Sequence, residues 1–237
     1  MQFINQTEHF RKAGKAEHLM AILSNYTPEC LVECRVSCAT DQLKTYSGTY
    51  SPFEFAQRFK KAVEIAINDP YRAVTHNKGI FNGIDALALA TGNDFRAIEA
   101  GAHAYACHNG SYSSLTNIHC DDSYFEYTLK VPLAMGTVGG LTKVHPLAKA
   151  ALSILGNPTA AELMQITAAA GLANNFAAIA SLVTTGIQKG HMKLHLANVL
   201  LALNANAAEE AYINHIFQNK AISFSMIATK LQEYRTK

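Results

Sequence analysis

The segment that decides the fold class covers residues 159–184 and reads TAAELMQITAAAGLANNFAAIASLVT. Its most apolar part, residues 168–183, contains Asn174 and Asn175 and falls short of the roughly 20 apolar residues that a membrane span needs. A chain of 237 residues, of which 49% are hydrophobic, can enclose such a segment in its own core. We therefore predict that residues 159–184 form a buried helix around which the rest of the chain packs.

Helical patterns continue on both sides of this segment. A capping box of Ser51 and Glu54 begins one helix, and Asp69 followed by Pro70 ends it, because the residue before a proline is pushed out of the helical region. Recurring apolar residues predict the other helices. These cover residues 8–23, 77–90, 94–107, 147–155, 189–203, 207–218 and 222–234.

A small sheet completes the predicted fold. Alternating side chains and flanking glycines predict strands over residues 30–39, 124–131 and 138–144. The fold class is therefore α+β, with a predominantly helical large domain and a small sheet over residues 1–188. The amphipathic helices of residues 189–237 are expected to form a separate C-terminal subdomain.

The charge balance and the cysteine content exclude several classes of protein. Only 16% of the residues are charged and the net charge is +2, so the chain lacks the basic footprint of a nucleic-acid-binding protein. The first 17 residues contain no continuous apolar segment of the kind found in secretory signals, which argues for a cytosolic protein. Five cysteines are an odd number in a chain too large to depend on disulfides, so we expect reduced thiols.

Three of the cysteines, Cys30, Cys34 and Cys38, recur at every fourth residue. On a helix this spacing would place them on one face and could indicate a metal site. On a strand they would also share a face, but as small apolar side chains. Metal-binding cysteines more often come as CxxC pairs, so the strand interpretation is favoured and no metal is expected.

Three polar clusters interrupt the apolar helical sequence, and buried polar groups are usually paired or functional. Lys78 and Asn82 share a helix face, where they could hold a carbonyl oxygen that gains negative charge or could form a solvated helix end. Asp94 could cap its helix or lie close to Lys78 and keep it charged. His191 and His195 could bind zinc, although no glutamate follows His191, or one of them could act as a general acid.

Four sequence segments together resemble the class II 3-hydroxy-3-methylglutaryl-CoA (HMG-CoA) reductases, in the order and at the separations of that family. They read DPYRAVTHNKGIFNG over 69–83, ATGNDFRAIEAGAH over 90–103, GLANNFAA over 171–178 and GHMKLH over 190–195. The resemblance covers about residues 20–237. It implies reduction of the HMG-CoA thioester to mevalonate and free CoA by two hydride transfers from NADH or NADPH.

The resemblance also implies a role for each polar cluster. Lys78 would stabilise the oxyanion of the thioester, with Asp94 in its hydrogen-bond network. Arg72 and Asn82 would hold the HMG moiety, and Arg72 would pair with its free carboxylate. His191, on a mobile C-terminal flap, would protonate the departing CoA thiolate. The remaining residues assigned to substrate binding are Asn174 and His195.

The chain departs from the family pattern in two ways. Asn174 stands where the family usually has a glutamine, and its side chain is one methylene shorter. The N-terminal part of the family, with its catalytic glutamate motif and its small cofactor-binding domain, is not found in the sequence. Since the active sites of the family form at a dimer interface, we expect this chain to work as a homo-oligomer or with a complementary N-terminal half, and to be weak or inactive alone.

Two other functions remain open from the sequence. The chain could be a non-catalytic HMG-CoA-binding or assembly remnant of the same family, although the retention of Lys78, Asp94 and His191 argues against long decay. A zinc hydrolase that uses His191 and His195 is the third hypothesis, and it requires bound metal. None of these hypotheses involves a membrane or a nucleic acid.

Overall fold

The computed structural model describes residues 19–184, 186, 196–217 and 223–236, in which helices surround a small antiparallel sheet. The strands are β1 Leu31–Ala39, β2 Thr116–Cys120 and β3 Tyr124–Pro132, and a 3-10 turn, Thr40–Thr45, follows β1. The first helices are α1 Pro52–Asn68, α2 Pro70–Ala90, α3 Phe95–Tyr105, α4 Gly140–Val144, α5 Pro146–Ile154 and α6 Ala160–Val183. They are followed by α7 (residues 196–202), α8 Ala207–Ile216 and α9 Phe224–Arg235. This architecture confirms the predicted α+β class.

Helix α6 is the central helix of the larger part. It begins with a capping box, in which the Thr159 hydroxyl accepts a hydrogen bond from the Glu162 amide at 3.3 Å and the Glu162 carboxylate accepts one from the Thr159 amide at 2.7 Å. By length and composition alone α6 could cross a membrane, since an 18-residue window has a mean hydropathy of 1.5. Its buried residues are nevertheless packed inside this protein, as expected for a core helix. They are Leu163, Thr167, Ala168, Gly171, Leu172, Asn175 and Ile179.

The sheet has the strand order β1-β3-β2, with antiparallel pairs throughout. Its central strand β3 buries Phe125, Tyr127 and Leu129 on the core side. Helix α1 covers that side, and Phe59 meets the rings of Phe125 and Tyr127 edge-on at 5.4 and 5.1 Å between centroids. The large core therefore lies between the sheet, α1 and α6.

Helices α2 and α6 cross closely because glycines lie at the contact. A Cβ atom on Gly83 would lie 2.5 Å from the carbonyl oxygen of Ala170, and one on Gly171 would lie 2.9 Å from Cγ1 of Ile84. Both distances are far below an ordinary contact between such atoms. This close crossing fixes the orientation of α2, so that its opposite face points to solvent.

The C-terminal helices enclose a second group of buried side chains. Arg235 ties this group together, because its Nε atom donates to Glu209 Oε1 at 2.7 Å and its Nη2 atom donates to the carbonyls of Leu203 and Asn204. The Arg235 guanidinium lowers the pKa of Glu209 to about 2. The buried residues of the group are Leu196, Val199, Leu200, Ile213, Phe217, Ile227 and Leu231. The domain boundary near residue 188 stays a prediction.

One predicted element is wrong in type, and another lies mainly outside the described residues. The strand predicted over 138–144 is instead the short helix α4, because Gly139 and Gly140 adopt left-handed conformations with φ of 85° and 47°, which an extended strand does not allow. The helix predicted over 8–23 lies mainly outside the described residues, and its described part, 19–23, is not helical. Leu19 and Leu23 there are 83% and 93% exposed, so no packing supports a helix.

Other differences concern boundaries and a missed strand. Helix α2 begins at Pro70 rather than at residue 77, because Asp69 accepts a hydrogen bond from the Tyr71 amide at 3.0 Å and Pro70 suits the first helical position. Strand β2 was not predicted, since its five residues show no sustained alternation. The strand around Cys34 and Cys38 is confirmed as β1, and both thiols pack against the core. The helix predicted over 189–203 is described only from residue 196.

Candidate active site

The exposed face of α2 carries two of the predicted site residues. Lys78 and Asn82 are both exposed and lie one turn apart on this helix. Their orientation follows from the packing of the opposite face, where Ile80, Phe81 and Ile84 are fully or almost fully buried. Among the described residues no carboxylate lies within 4.0 Å of the Lys78 ammonium. The helix therefore presents a cation and an amide side by side to solvent.

A second cation lies at the start of the same helix. Arg72 is half-buried, and desolvation lowers the pKa of its guanidinium, which nevertheless stays charged. Its titratable neighbours offer it no anion, because the His76 imidazole is neutral and the Tyr127 hydroxyl stays protonated in this environment. In the described part of the chain no carboxylate lies within 4.0 Å of it either. A partly desolvated arginine without an anion is suited to bind one.

Asp94 is the N-cap of α3. Its Oδ1 atom accepts hydrogen bonds from the amides of Arg96 and Ala97 at 3.1 and 3.3 Å and lies 3.3 Å from Arg96 Nε. These bonds lower the pKa of the Asp94 carboxyl, the side-chain bond to Arg96 most of all. The capping role predicted as one alternative is thus confirmed. No ion pair between Asp94 and Lys78 occurs among the residues that the structure describes.

The paired asparagines of α6 attach this helix to the backbone of α2. The Asn174 amide donates to the Gly79 carbonyl at 2.8 Å, directly beside Lys78 in the sequence. The Asn175 amide donates to the His76 carbonyl at 2.8 Å, one turn earlier. Asn174 was predicted as a substrate ligand, whereas no role was predicted for Asn175. Both contacts hold α2 in the orientation that exposes Lys78.

A buried polar network continues from Asn175 into the sheet. The Tyr127 hydroxyl lies within hydrogen-bond distance of Asn175 Oδ1 and 3.0 Å from the Thr116 hydroxyl. The Thr116 hydroxyl in turn lies 2.7 Å from His76 Nε2. Burial, assisted by the charge of Arg72, lowers the pKa of His76 to about 3, so the imidazole is neutral. The sequence signal for this network was Asn175 itself, a polar residue inside an apolar helix.

A pair of carboxyl groups lies between α2 and α3, apart from the predicted residues. Asp85 is seven residues after Lys78 in α2, and the carboxyl group of Glu99 in α3 is close enough to influence its charge. Burial, followed by the charge of Glu99, raises the pKa of Asp85 to about 6. Just below pH 6 the Asp85 carboxyl group thus still holds a proton that ordinary surface carboxyl groups have lost.

The raised pKa of Asp85 makes a prediction about stability. The folded protein binds this proton more tightly than the unfolded chain, so stability is lost as the pH rises through about 6. We expect Asp85→Asn to raise the free energy of unfolding by roughly 1 kcal/mol at pH 7.5, allowing for solvent screening. The gain should shrink toward zero as the pH falls to 4. Urea unfolding at both pH values measures it, with the exposed Asp122→Asn as control; a gain independent of pH would contradict the prediction.

The described structure brings only some of the predicted residues together. Asn82 and Asn174 flank Lys78, whereas Asp94 faces Arg96 instead. His191 and His195 lie outside the described residues. A cavity of 630 Å³ between the sheet and the end of α3 is lined by none of the predicted residues.

Comparison with known proteins shows the family of this chain. The sequence model of the hydroxymethylglutaryl-coenzyme A reductase family matches residues 2–196, which include every predicted site residue. The chain belongs to this family. The family resemblance inferred from four sequence segments is therefore confirmed.

Two curated reductases illustrate the degree of similarity. The 3-hydroxy-3-methylglutaryl-coenzyme A reductase of Archaeoglobus fulgidus is 52% identical over 157 residues, which are 66% of this chain and 36% of that protein. The probable HMG-CoA reductase of Borreliella burgdorferi is 34% identical over 184 residues, which are 78% of this chain and 42% of that protein. This chain therefore spans about two fifths of the length of these relatives.

Solved structures of the class II reductase from Streptococcus pneumoniae have the same fold. One of them, bound to NADPH in open conformations, has a TM-score of 0.66 and 44% identity, covering 70% of this chain and 45% of that chain. Another has a TM-score of 0.67 and 40% identity, covering 91% of this chain and 52% of that chain. The described fold thus corresponds to about half of a class II HMG-CoA reductase.

Proposed function

We propose that this chain supplies the acyl-binding and oxyanion-stabilising part of an HMG-CoA reductase, which converts HMG-CoA to mevalonate and CoA with NADH or NADPH. The observation that carries the proposal is the pair of cations on α2. Arg72 and Lys78 have no carboxylate partner among the described residues, in a helix whose sequence belongs to this family. HMG-CoA supplies both a free carboxylate and a thioester carbonyl for them.

The two cations have different roles in this proposal. Arg72 pairs with the free carboxylate of the HMG moiety, because a guanidinium can form two parallel hydrogen bonds to it. Lys78 donates to the thioester oxygen as it gains negative charge, and later to the oxygen of the hemithioacetal. Asn82, one turn further, donates its amide to the HMG moiety. A cation positioned for the oxyanion accelerates the reaction because it binds the transition state more tightly than the ground state.

The remaining predicted site residues are proposed to contact Lys78, the substrate or CoA. Asp94 is proposed to join the hydrogen-bond network of Lys78, which requires its carboxylate to exchange Arg96 for Lys78 when substrate binds. The Asn174 amide nitrogen already bonds to Gly79, so its carbonyl oxygen is the atom proposed to reach the substrate. His191 is proposed to protonate the CoA thiolate, and His195 to lie near CoA, on a flap formed by residues 189–237.

The nicotinamide cofactor supplies the hydride, but the described residues do not form its usual site. Dinucleotides commonly bind at a glycine-rich turn between parallel strands and a helix, and the described strands are all antiparallel. We therefore assign no step of the reaction to a cofactor held by these residues. We propose that the cofactor site is completed by a complementary half on a second polypeptide, and that the protein is cytoplasmic.

Binding of HMG-CoA by the purified chain tests the proposal directly. We expect Arg72→Met to weaken HMG-CoA binding at least about tenfold, since a charged pair is lost, but to leave binding of free CoA nearly unchanged. Isothermal titration calorimetry measures both affinities. Arg58→Met is the matched control, because the Arg58 guanidinium stacks on Tyr50 of a different segment. Equal losses for HMG-CoA and CoA would contradict the role of Arg72.

Turnover separates the catalytic proposal from a non-catalytic relative that only binds HMG-CoA. The chain is assayed for oxidation of NADH and NADPH with and without a separately expressed N-terminal half of a related reductase. Activity that requires the added half supports the proposal. HMG-CoA binding without turnover in either assay favours the binding or assembly function instead.

A further inference from the structure

Four buried residues beneath α2 form a closed hydrogen-bond ring that begins and ends at His76. The His76 imidazole nitrogen Nε2 lies 2.7 Å from the Thr116 hydroxyl, which lies 3.0 Å from the Tyr127 hydroxyl. The Tyr127 hydroxyl also bonds to Oδ1 of Asn175. The Asn175 amide nitrogen donates to the backbone carbonyl of His76 at 2.8 Å. The hydrogen-bond ring therefore joins two helices and two strands at one point of α2.

The hydrogen-bond ring is buried by this chain alone. No more than 3% of the surface of any of its four residues is exposed. A further polypeptide would therefore not reach these atoms, whatever it covers on the surface of the chain. Buried polar groups are costly to leave unpaired, and the bonds of such a network strengthen one another, so the loss of one hydroxyl affects its neighbours.

The number of available protons fixes the direction of these hydrogen bonds. Asn175 Oδ1 can only accept, so the single proton of the Tyr127 hydroxyl goes to it. The Thr116 proton is then donated to the Tyr127 oxygen, and Nε2 of His76 donates to Thr116. The second imidazole nitrogen of His76, Nδ1, is buried without a partner among the described residues. This tautomer leaves only a lone pair unpaired there, which costs less than an unpaired N–H.

The hydrogen-bond ring holds the turn of α2 that carries Lys78. The Asn175 amide bonds to the carbonyl of His76, two residues before Lys78. The Asn174 amide bonds to the carbonyl of Gly79, directly after it. Two successive residues of α6 thus clamp the backbone on both sides of the lysine. A misplacement of about 1 Å can cost on the order of 100-fold in rate, so this clamp matters for a cation that must meet an oxyanion.

We propose that Tyr127 is a positioning residue for Lys78, because its hydroxyl orients Asn175 and thereby holds the clamped turn in place. This role rests on the proposed function of Lys78 as oxyanion donor. Without the Tyr127 hydroxyl, the Asn175 amide loses the bond that sets which of its two ends faces α2. The turn then shifts relative to α6, and the Lys78 ammonium no longer lies where charge develops in the transition state.

Hydroxyl deletion in the chain combined with an N-terminal half tests this role. We expect Tyr127→Phe and Thr116→Val each to lower kcat at least about tenfold, with less than about threefold change in the Michaelis constant. Thr116→Ser keeps the hydroxyl and should stay within about threefold of the wild type. Tyr124→Phe is the matched control, because it removes a hydroxyl from the outer face of the same strand, where that group bonds to Glu126 at 2.7 Å.

A double-mutant cycle separates positioning from a general loss of structure. If Tyr127 acts through Lys78, Tyr127→Phe should change the residual kcat of Lys78→Ala by less than about threefold. All variants are assayed below their unfolding temperatures, which circular dichroism measures. Losses that multiply in the double variant, or an undiminished kcat in Tyr127→Phe, would overturn the positioning role alone. Undiminished turnover in Lys78→Ala, or a wild type without turnover, would overturn the proposed function together with this role.

Discussion

Replacing Lys78 with alanine is expected to reduce turnover of HMG-CoA at least about 100-fold in the chain combined with an N-terminal half, a loss typical of removing one oxyanion donor. The ammonium is exposed on α2 and has no carboxylate partner among the described residues, so its removal leaves no buried group unpaired. The loss should therefore appear in kcat, with little change in the affinity for HMG-CoA or in the thermal unfolding temperature. Steady-state oxidation of NADH or NADPH measures it.

The control for this variant is Lys61→Ala. Lys61 is an exposed lysine on the neighbouring helix α1, and no ion pair within 4.0 Å is formed by it in the described structure. The Lys61→Ala variant removes the same charge and the same side-chain surface as Lys78→Ala, but it leaves helix α2 unchanged. Undiminished kcat in Lys78→Ala would refute the oxyanion role, whereas equal losses in both variants would point to general electrostatics. A rise in the Michaelis constant alone would make Lys78 a substrate-binding residue.

Local signals predicted those elements whose ends are fixed by neighbouring residues. The capping box of Ser51 and Glu54 is observed at the start of α1, and the long apolar segment forms α6. The errors occur where distant contacts or unusual backbone angles decide the structure. Gly139 and Gly140 adopt positive φ values that no periodicity reveals. Strand β2 is too short to show a sustained alternation of apolar and polar residues, and its formation depends on its pairing with β3.

The candidate site was predictable to the same extent. Spacing along one helix placed Lys78 and Asn82 on a common face, and the structure exposes both. The number of residues between two helices does not indicate how close they lie in space. The sequence therefore did not predict whether Asp94 lies near Lys78. The roles of Asn175 and Tyr127 arise from contacts between α6, α2 and β3, which are far apart in the sequence. The sequence therefore predicted side chains that lie on one face of a single helix, but not side chains that form contacts between helices and strands.

Replacing Gly83 with alanine is expected to cost about 3 kcal/mol of unfolding free energy, at the upper end of the range for overpacked cores. The added Cβ would lie 2.5 Å from the Ala170 carbonyl oxygen, and this backbone atom cannot turn aside as a side chain could. Helices α2 and α6 must then move apart. Alanine is the better helix former by about 1 kcal/mol, which offsets only part of that cost. Urea unfolding measures the difference.

Gly136→Ala provides the matched control, since nothing lies within 4 Å of its added Cβ and its φ is not positive. It should change the free energy of unfolding by no more than about 0.5 kcal/mol. The same movement of α6 would stretch the Asn174 bond to the Gly79 carbonyl, which lies beside Lys78. HMG-CoA binding in Gly83→Ala should therefore weaken even under conditions in which the variant is fully folded. Normal stability together with normal binding would mean that the close helix crossing does not position the site.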